Sequence, residues 1–180
     1  MRQHATTRRT VRGAAAALAL AGLLAGCAAR PGTAAMVDGR RIPESDITAT
    51  FAEIGPALGS ATQQSVLHAL ITEPTLSDIA GDLGSQVTDE QATDLLDEVF
   101  AGSEQRPDEF GPGSLAIARF QLALDAINAA EDQEAVGQDI TDRLAALDVE
   151  VNPRFGTFEG ASVAAPATPE WIVGAATPQQ

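Results

Sequence analysis

The stretch Ala34-Ala35-Met36-Val37-Asp38-Gly39-Arg40-Arg41-Ile42-Pro43 decides how this chain begins to fold. Apolar residues run up to Asp38-Gly39, a pair that readily takes the positive φ angles of a tight turn. Pro43 then keeps Ile42 extended, because its ring crowds the preceding residue out of the helical region. The stretch predicts a short strand and turn over 34–42, leading into a helix. A matching signal stands near the other end of the chain. At Val149 and Val151 the apolar period becomes two, and Asn152-Pro153 closes the run, which is a strand signal. Strands this short leave their ladder groups unpaired when alone, so the two flanks are expected to lie side by side.

Between these flanks the period is helical. Ile47, Phe51, Ile54 and Leu58 step by four, three and four residues, one face of a first helix over Glu44–Ile54 that Gly55-Pro56 stops. Val66, Leu67, Leu70 and Ile71 mark a second over 61–72, and Pro74 is expected to kink it or to start another. Leu76, Ile79, Ala80 and Leu83 continue that stripe to Gly84. A third helix opens with Thr88 and Gln91 in a capping box, with Leu95, Leu96, Val99 and Phe100 as its buried face. A polar loop over 101–113 separates it from a fourth over 114–130, apolar on most sides and expected at the centre. A fifth over 133–147 carries Val136, Ile140, Leu144 and Leu147. The expectation is a mainly α domain over 34–160, with a small β element joining its two ends.

What precedes the domain reads as an export signal. Arg2, Arg8, Arg9 and Arg12 lead an apolar run over 14–25. As a helix, that run spans roughly 18 Å against a hydrocarbon core of about 30 Å, which suits a signal-peptide core better than a membrane span. Leu24, Ala25, Gly26 and Cys27 resemble a bacterial lipobox. Small residues before the cysteine let the chain lie extended in a peptidase cleft, and the thiol accepts a diacylglyceryl group. Cys27 is the only cysteine of the 180 residues, so no intramolecular disulfide accounts for it. Residues 1–26 are therefore read as a lipoprotein signal peptide and Cys27 as the acylated first residue of an anchored protein on the extracytoplasmic face of the cell membrane. Residues 27–33 are read as a tether. The Arg8-Arg9 pair invites a twin-arginine reading, but Arg12 stands where an apolar residue belongs, which favours the general secretory route.

Cleavage after Gly26 changes the charge. Seven arginines and no lysine then face 25 carboxylates, a side-chain charge of −18. Such a surface repels phosphate backbones and anionic headgroups, so nucleic acid is not an expected partner. Residues 161–180 are rich in alanine, proline and threonine and are read as a loose tail with one apolar anchor, Trp171-Ile172-Val173.

From Arg30 through Ile42 the sequence is similar to the opening of SurA-like and PrsA-like chaperone N-domains of bacterial lipoproteins. Leu70-Ile71, Leu76, Ala80 and Gly84 resemble that family's second helix, and Val87-Thr88-Asp89-Glu90 the opening of its third. Val149-Glu150-Val151-Asn152-Pro153-Arg154-Phe155-Gly156 resembles the closing strand of actinobacterial members. The likeness covers about residues 30–158. It departs at Pro43, where the family favours a threonine cap, and at Pro74, where its helix is usually continuous. The resemblance implies a helical body closed by its first and last strands, and binding of extended or unfolded polypeptide on a concave, partly apolar surface. Many relatives carry an inserted parvulin-type prolyl isomerase. Here the loop between the third and fourth helices is far too short for one.

Other chemistry finds little support. His68 is the sole histidine after Cys27 and lacks partners for a metal set. No Gly-x-Ser-x-Gly elbow is present. The run Asp132-Gln133-Glu134-Ala135-Val136-Gly137 puts Val136 where a calcium loop needs oxygen, and Arg143 where its closing carboxylate belongs. Asp94, Asp97 and Glu98 read as a solvated helix face. No enzyme activity, metal or cofactor is expected. The expected function is membrane-anchored holding of client polypeptide without catalysis, the alternative being a lipoprotein assembly subunit with one dedicated cell-envelope partner. Phe100 and Phe110 flank the position of the relatives' insertion and are the candidate client contacts, with core packing as the competing reading.

Overall fold

The computed structural model describes residues 31–166, apart from Leu58 and Ser60. The chain is mainly α-helical, with small antiparallel sheets. Strand β1 (Thr33–Val37) turns through Asp38 and Gly39, at φ 48° and 81°, into β2 (Arg40–Pro43). The expected tight turn is there, and both of its residues are left-handed. Helices α1 (Glu44–Ile54), α2 (Gln63–Asp82), α3 (Asp89–Val99), α4 (Pro112–Asn128) and α5 (Gln133–Ala145) follow, then β3 (Val149–Val151).

The ends close as the sequence predicts. β1 pairs antiparallel with β3, Ala35 opposite Val151 and Val37 opposite Val149, and the sheet order is β2-β1-β3. Side chains lock that register. Asp38 exchanges two hydrogen bonds with the backbone of Asp148, both 2.9 Å, and Asn152 Nδ2 donates to the Thr33 carbonyl at 3.0 Å. Thr33 is therefore part of the strand and buried, so the tether read over 27–33 is shorter than expected.

Two other expectations are narrowed or corrected. Of the two outcomes expected at Pro74, a kink or a new helix, the second does not occur: α2 is one continuous helix that passes through Pro74. A proline there deprives the Leu70 carbonyl of its usual amide partner. Arg40 supplies the substitute, its Nη2 donating to Leu70 O at 3.2 Å from thirty residues away. The second lies near the C-terminus, where part of the expected loose tail is ordered. Strands β4 (Thr157–Glu159) and β5 (Ser162–Ala164) form a hairpin, turning at Gly160 and Ala161 with φ of 55° and 69°. Trp171-Ile172-Val173 and Leu58 lie outside the described residues.

Three apolar clusters hold the body together. One lies under the sheet, where Ala34, Ala35 and Ile42 meet Ile47, Val66, Leu67, Ile71 and Phe155. A second joins α1, α3 and α4 through Ile54, Ala92, Leu96, Phe100, Phe110 and Ala118. The third packs the far halves of α2 and α4 on α5 through Leu76, Ile79, Ile127 and Val136. Each large aliphatic side chain buried this way contributes about 1.5–3 kcal/mol. Leu83, expected in the stripe of α2, is instead 41% exposed.

Helix α4 is central, packing on all four other helices, but apart from Ile127 its buried residues are small: Ser114, Ala116, Ala118 and Ala123. Its first turn sits so close to α1 that a Cβ on Gly113 would overlap the buried Thr50 hydroxyl. Two of the three helices around the groove described below begin at good caps. Thr62 accepts from Ser65 N–H at the start of α2, and Thr88 from Gln91 N–H at the start of α3, each with the reciprocal bond of a capping box.

Candidate functional site

Helices packed face to face stand about 8–10 Å apart, a space that side chains normally fill. Between α2, α3 and α4 it is not filled, because several facing residues are alanines. Ala61 and Ala69 on the α2 side, Ala118 on α4 and Ala57 after α1 leave an open groove of about 300 Å³. Ile54 and Val66 form its base. Leu95 and Val99 of α3 form one wall, Ile117 and Phe120 of α4 the other. Among the described lining residues only Ser65 and Gln121 bring polar side chains, and none is charged. Val99, at the rim, is 51% exposed. On a chain with 25 carboxylates, an uncharged apolar groove is the feature that calls for a functional account.

Leu95, Leu96 and Val99 of α3 and Phe100 just after it all border the groove, but they divide by exposure: Leu96 and Phe100 are buried, whereas Val99, four residues after Leu95, is open to solvent. Phe100 and Phe110, the candidate client contacts, are core side chains at 3% and 6% exposure, which is the competing reading. Their rings meet at 5.8 Å between centroids, tilted by 48°, and the Arg106 guanidinium covers Phe110 at 5.2 Å. The loop brings Phe110 back because Gly111 N–H donates to Glu53 Oε1 of α1 at 2.8 Å. Phe100 still touches the groove from below, but neither ring is presented to solvent. The residues Leu24, Ala25, Gly26 and Cys27 lie outside the described residues.

One polar network crosses the body beside the groove. Glu73, buried in the middle of α2, receives Arg119 Nε of α4 at 2.8 Å and Ser77 Oγ at 3.0 Å. Arg119 also pairs with Asp89, at the first position of α3. The Glu73 hydrogen bonds push the Arg119 guanidinium still further above its ordinary range. Asp89 there also opposes the positive end of α3. Next to this network lies a polar cleft of about 200 Å³. Its three arginines are committed internally, Arg40 to Leu70 O, Arg41 to Thr33 Oγ1 and Gly32 O, and Arg119 to its two carboxylates.

The remaining titratable candidates have structural places. Asp132 caps α5 by accepting Ala135 N–H at 3.0 Å, and Arg143 pairs with Asp139 and Asp82. Among the described residues no group of three or more His, Cys, Asp or Glu side chains is placed to hold a metal ion. Nor is any described helix long and apolar enough to cross a membrane.

His68 lies edge-on to Phe120, 6.2 Å between ring centroids, and its buried Nδ1 has no hydrogen-bond partner among the described residues. Burial lowers its pKa from the ordinary value of about 6.5. The folded state thus resists the charged imidazole. Its contribution to stability is complete above about pH 6.5 and is lost as the pH falls through the depressed folded value. Unfolding midpoints measured from pH 7.5 down to 5 should fall more steeply for the parent than for His68→Leu. Parallel profiles would remove this role for the imidazole.

No family model, no curated protein and no solved structure matches this chain, so the reading of the groove rests on its own geometry and chemistry.

Proposed function

We propose that the mature protein is a lipid-anchored, extracytoplasmic module that holds extended apolar segments of client polypeptide in the α2–α3–α4 groove, without catalysis. The observation that carries this reading is the uncharged lining of the groove on a strongly acidic chain. A space of about 300 Å³ is at the small end of ligand sites and admits one or two large side chains at a time. That suits an unfolded segment, which offers side chains singly. The surrounding carboxylates keep acidic folded proteins and nucleic acids at a distance. The resemblance of residues 30–158 to SurA-like and PrsA-like N-domains points the same way, and the lipobox ending at Cys27 supplies the membrane anchor.

The test uses the full mature chain against a chemically denatured client. The parent should suppress aggregation in proportion to its concentration. Val99→Arg places a charge at the exposed rim, where the change in stability should stay within about 0.5 kcal/mol. Holding should fall several-fold, because an apolar client segment would have to desolvate that charge. A parent without holding activity would sink the proposal, and equal holding by Val99→Arg would place client binding elsewhere. Capture of a single envelope protein, with no effect on denatured clients, would favour a dedicated assembly role. In cells, Cys27→Ser should release the protein from membranes washed with high salt, and continued tight association would remove the lipid anchor.

A further inference from the structure

We infer that the groove has a ligand within this chain: the segment Trp171-Ile172-Val173, which docks between α2, α3 and α4 and competes with any polypeptide that enters from outside. This rests on the groove being a polypeptide site.

The first argument is where the described chain leaves the body. Strand β5 packs on α2, and Val163 joins the apolar cluster around Val66 and Leu67. Its last residue, Ala164, lies so close to Gly156 that a Cβ there would overlap the Ala164 carbonyl oxygen. The neighbouring Phe155 carbonyl accepts Gln64 Nε2 from the first turn of α2 at 3.1 Å. Gln64 is next to Ser65, which lines the groove. The chain therefore departs at the end of α2 where the groove begins.

The second argument is length. Six residues separate Ala164 from Trp171, seven Cα–Cα steps that reach up to about 24 Å when extended. Along α2 the groove runs from Ser65 to Ala69, only about 6 Å at the rise of an α-helix. Pro166 and Pro169 favour extended backbone over this connection. The linker reaches the groove with slack and resists folding back on itself.

The third argument is chemistry. Residues 161–180 contain a single charged side chain, Glu170, on a chain otherwise dense in carboxylates. Trp171, Ile172 and Val173 are the large apolar residues beyond Val163, and an uncharged apolar groove is the surface that such a segment fits. An aromatic side chain alone buries about 150–250 Å². A short linker gives such a segment an effective concentration in the millimolar range. At an intrinsic dissociation constant of about 0.1 mM, docking would weaken client binding about tenfold.

Trp171 is the only tryptophan of the chain, so its fluorescence reports this segment alone. In the full mature chain carrying Cys27→Ser for solubility, its emission should be blue-shifted from that of a synthetic peptide of residues 167–176, and shielded from a soluble quencher. Val99→Arg should return both readings to those of the peptide, and saturating denatured client should do the same in the parent. Replacing Trp171, Ile172 and Val173 together by serine should tighten client binding about tenfold. Peptide-like emission from the parent overturns the inference, and so does a buried Trp171 that Val99→Arg leaves buried. The two readings fail separately. A Trp171 released by Val99→Arg in a protein that holds no client keeps this inference and sinks the proposed function, while client holding with an exposed Trp171 does the reverse.

Discussion

Arg119→Met should cost the fold about 3 kcal/mol, roughly 10 °C in Tm, because it strands the Glu73 carboxylate inside the protein. Glu73 has only 8% of its side chain exposed and relies on Arg119 for its charge partner, with Ser77 as the one other donor among the described residues. Removing one member of a buried pair is worse than removing both, since the survivor keeps its desolvation penalty. The double variant Arg119→Leu, Glu73→Leu should therefore recover most of the loss. Thermal unfolding at pH 7 reads both effects. A loss below about 1 kcal/mol at pH 7, or a double variant no better than the single, would show that Glu73 is adequately solvated without Arg119.

Phe100→Ala and Phe110→Ala should each lower stability by about 3–5 kcal/mol, the usual cost of deleting a buried aromatic side chain. Both rings belong to the cluster that joins α1, α3 and α4, and each is the other's neighbour. Their losses should be less than additive, because the second deletion removes a contact already gone. Denaturant midpoints at unchanged slope are the measurement. Either variant unfolding within about 1 kcal/mol of the parent would return that ring to the surface and to the candidate client contacts.

These two residues also mark how far the sequence could be read. The helical stripe of α3 was visible in Leu95, Leu96, Val99 and Phe100, but a stripe of four cannot say which pair faces core and which faces a groove. That depends on what lies opposite. The alanines of α2 and α4 leave the space that Leu95 and Val99 border. The sequence leaves Phe110 open between client contact and core, because the contact that returns its loop, Gly111 to Glu53, spans 58 residues. Local signals fared better. The Asp38-Gly39 turn, the Thr88–Gln91 box, the extent of α1 and the pairing of β1 with β3 all follow from short-range chemistry or from strands that need a partner. Pro74 left two outcomes open because its broken hydrogen bond is repaired from another element, by Arg40. The β4–β5 hairpin was missed because its turn is Gly160-Ala161, and alanine rarely accepts a left-handed φ.

The pairing of β1 with β3 sets a schedule for a chain that emerges amino end first. Hairpin β1–β2 can close within its own eleven residues, yet its other edge stays open until Val151 appears, opposite Ala35. At 5–20 residues per second the intervening 116 residues take on the order of ten seconds to synthesise. Over that interval β1 offers an unpaired strand edge beside the apolar face of Ala34, Ala35 and Val37. A chain interrupted before Val149 never covers it, and such open edges are where nascent chains stick to one another. The last strand of this sheet to be made is thus the one that seals the first.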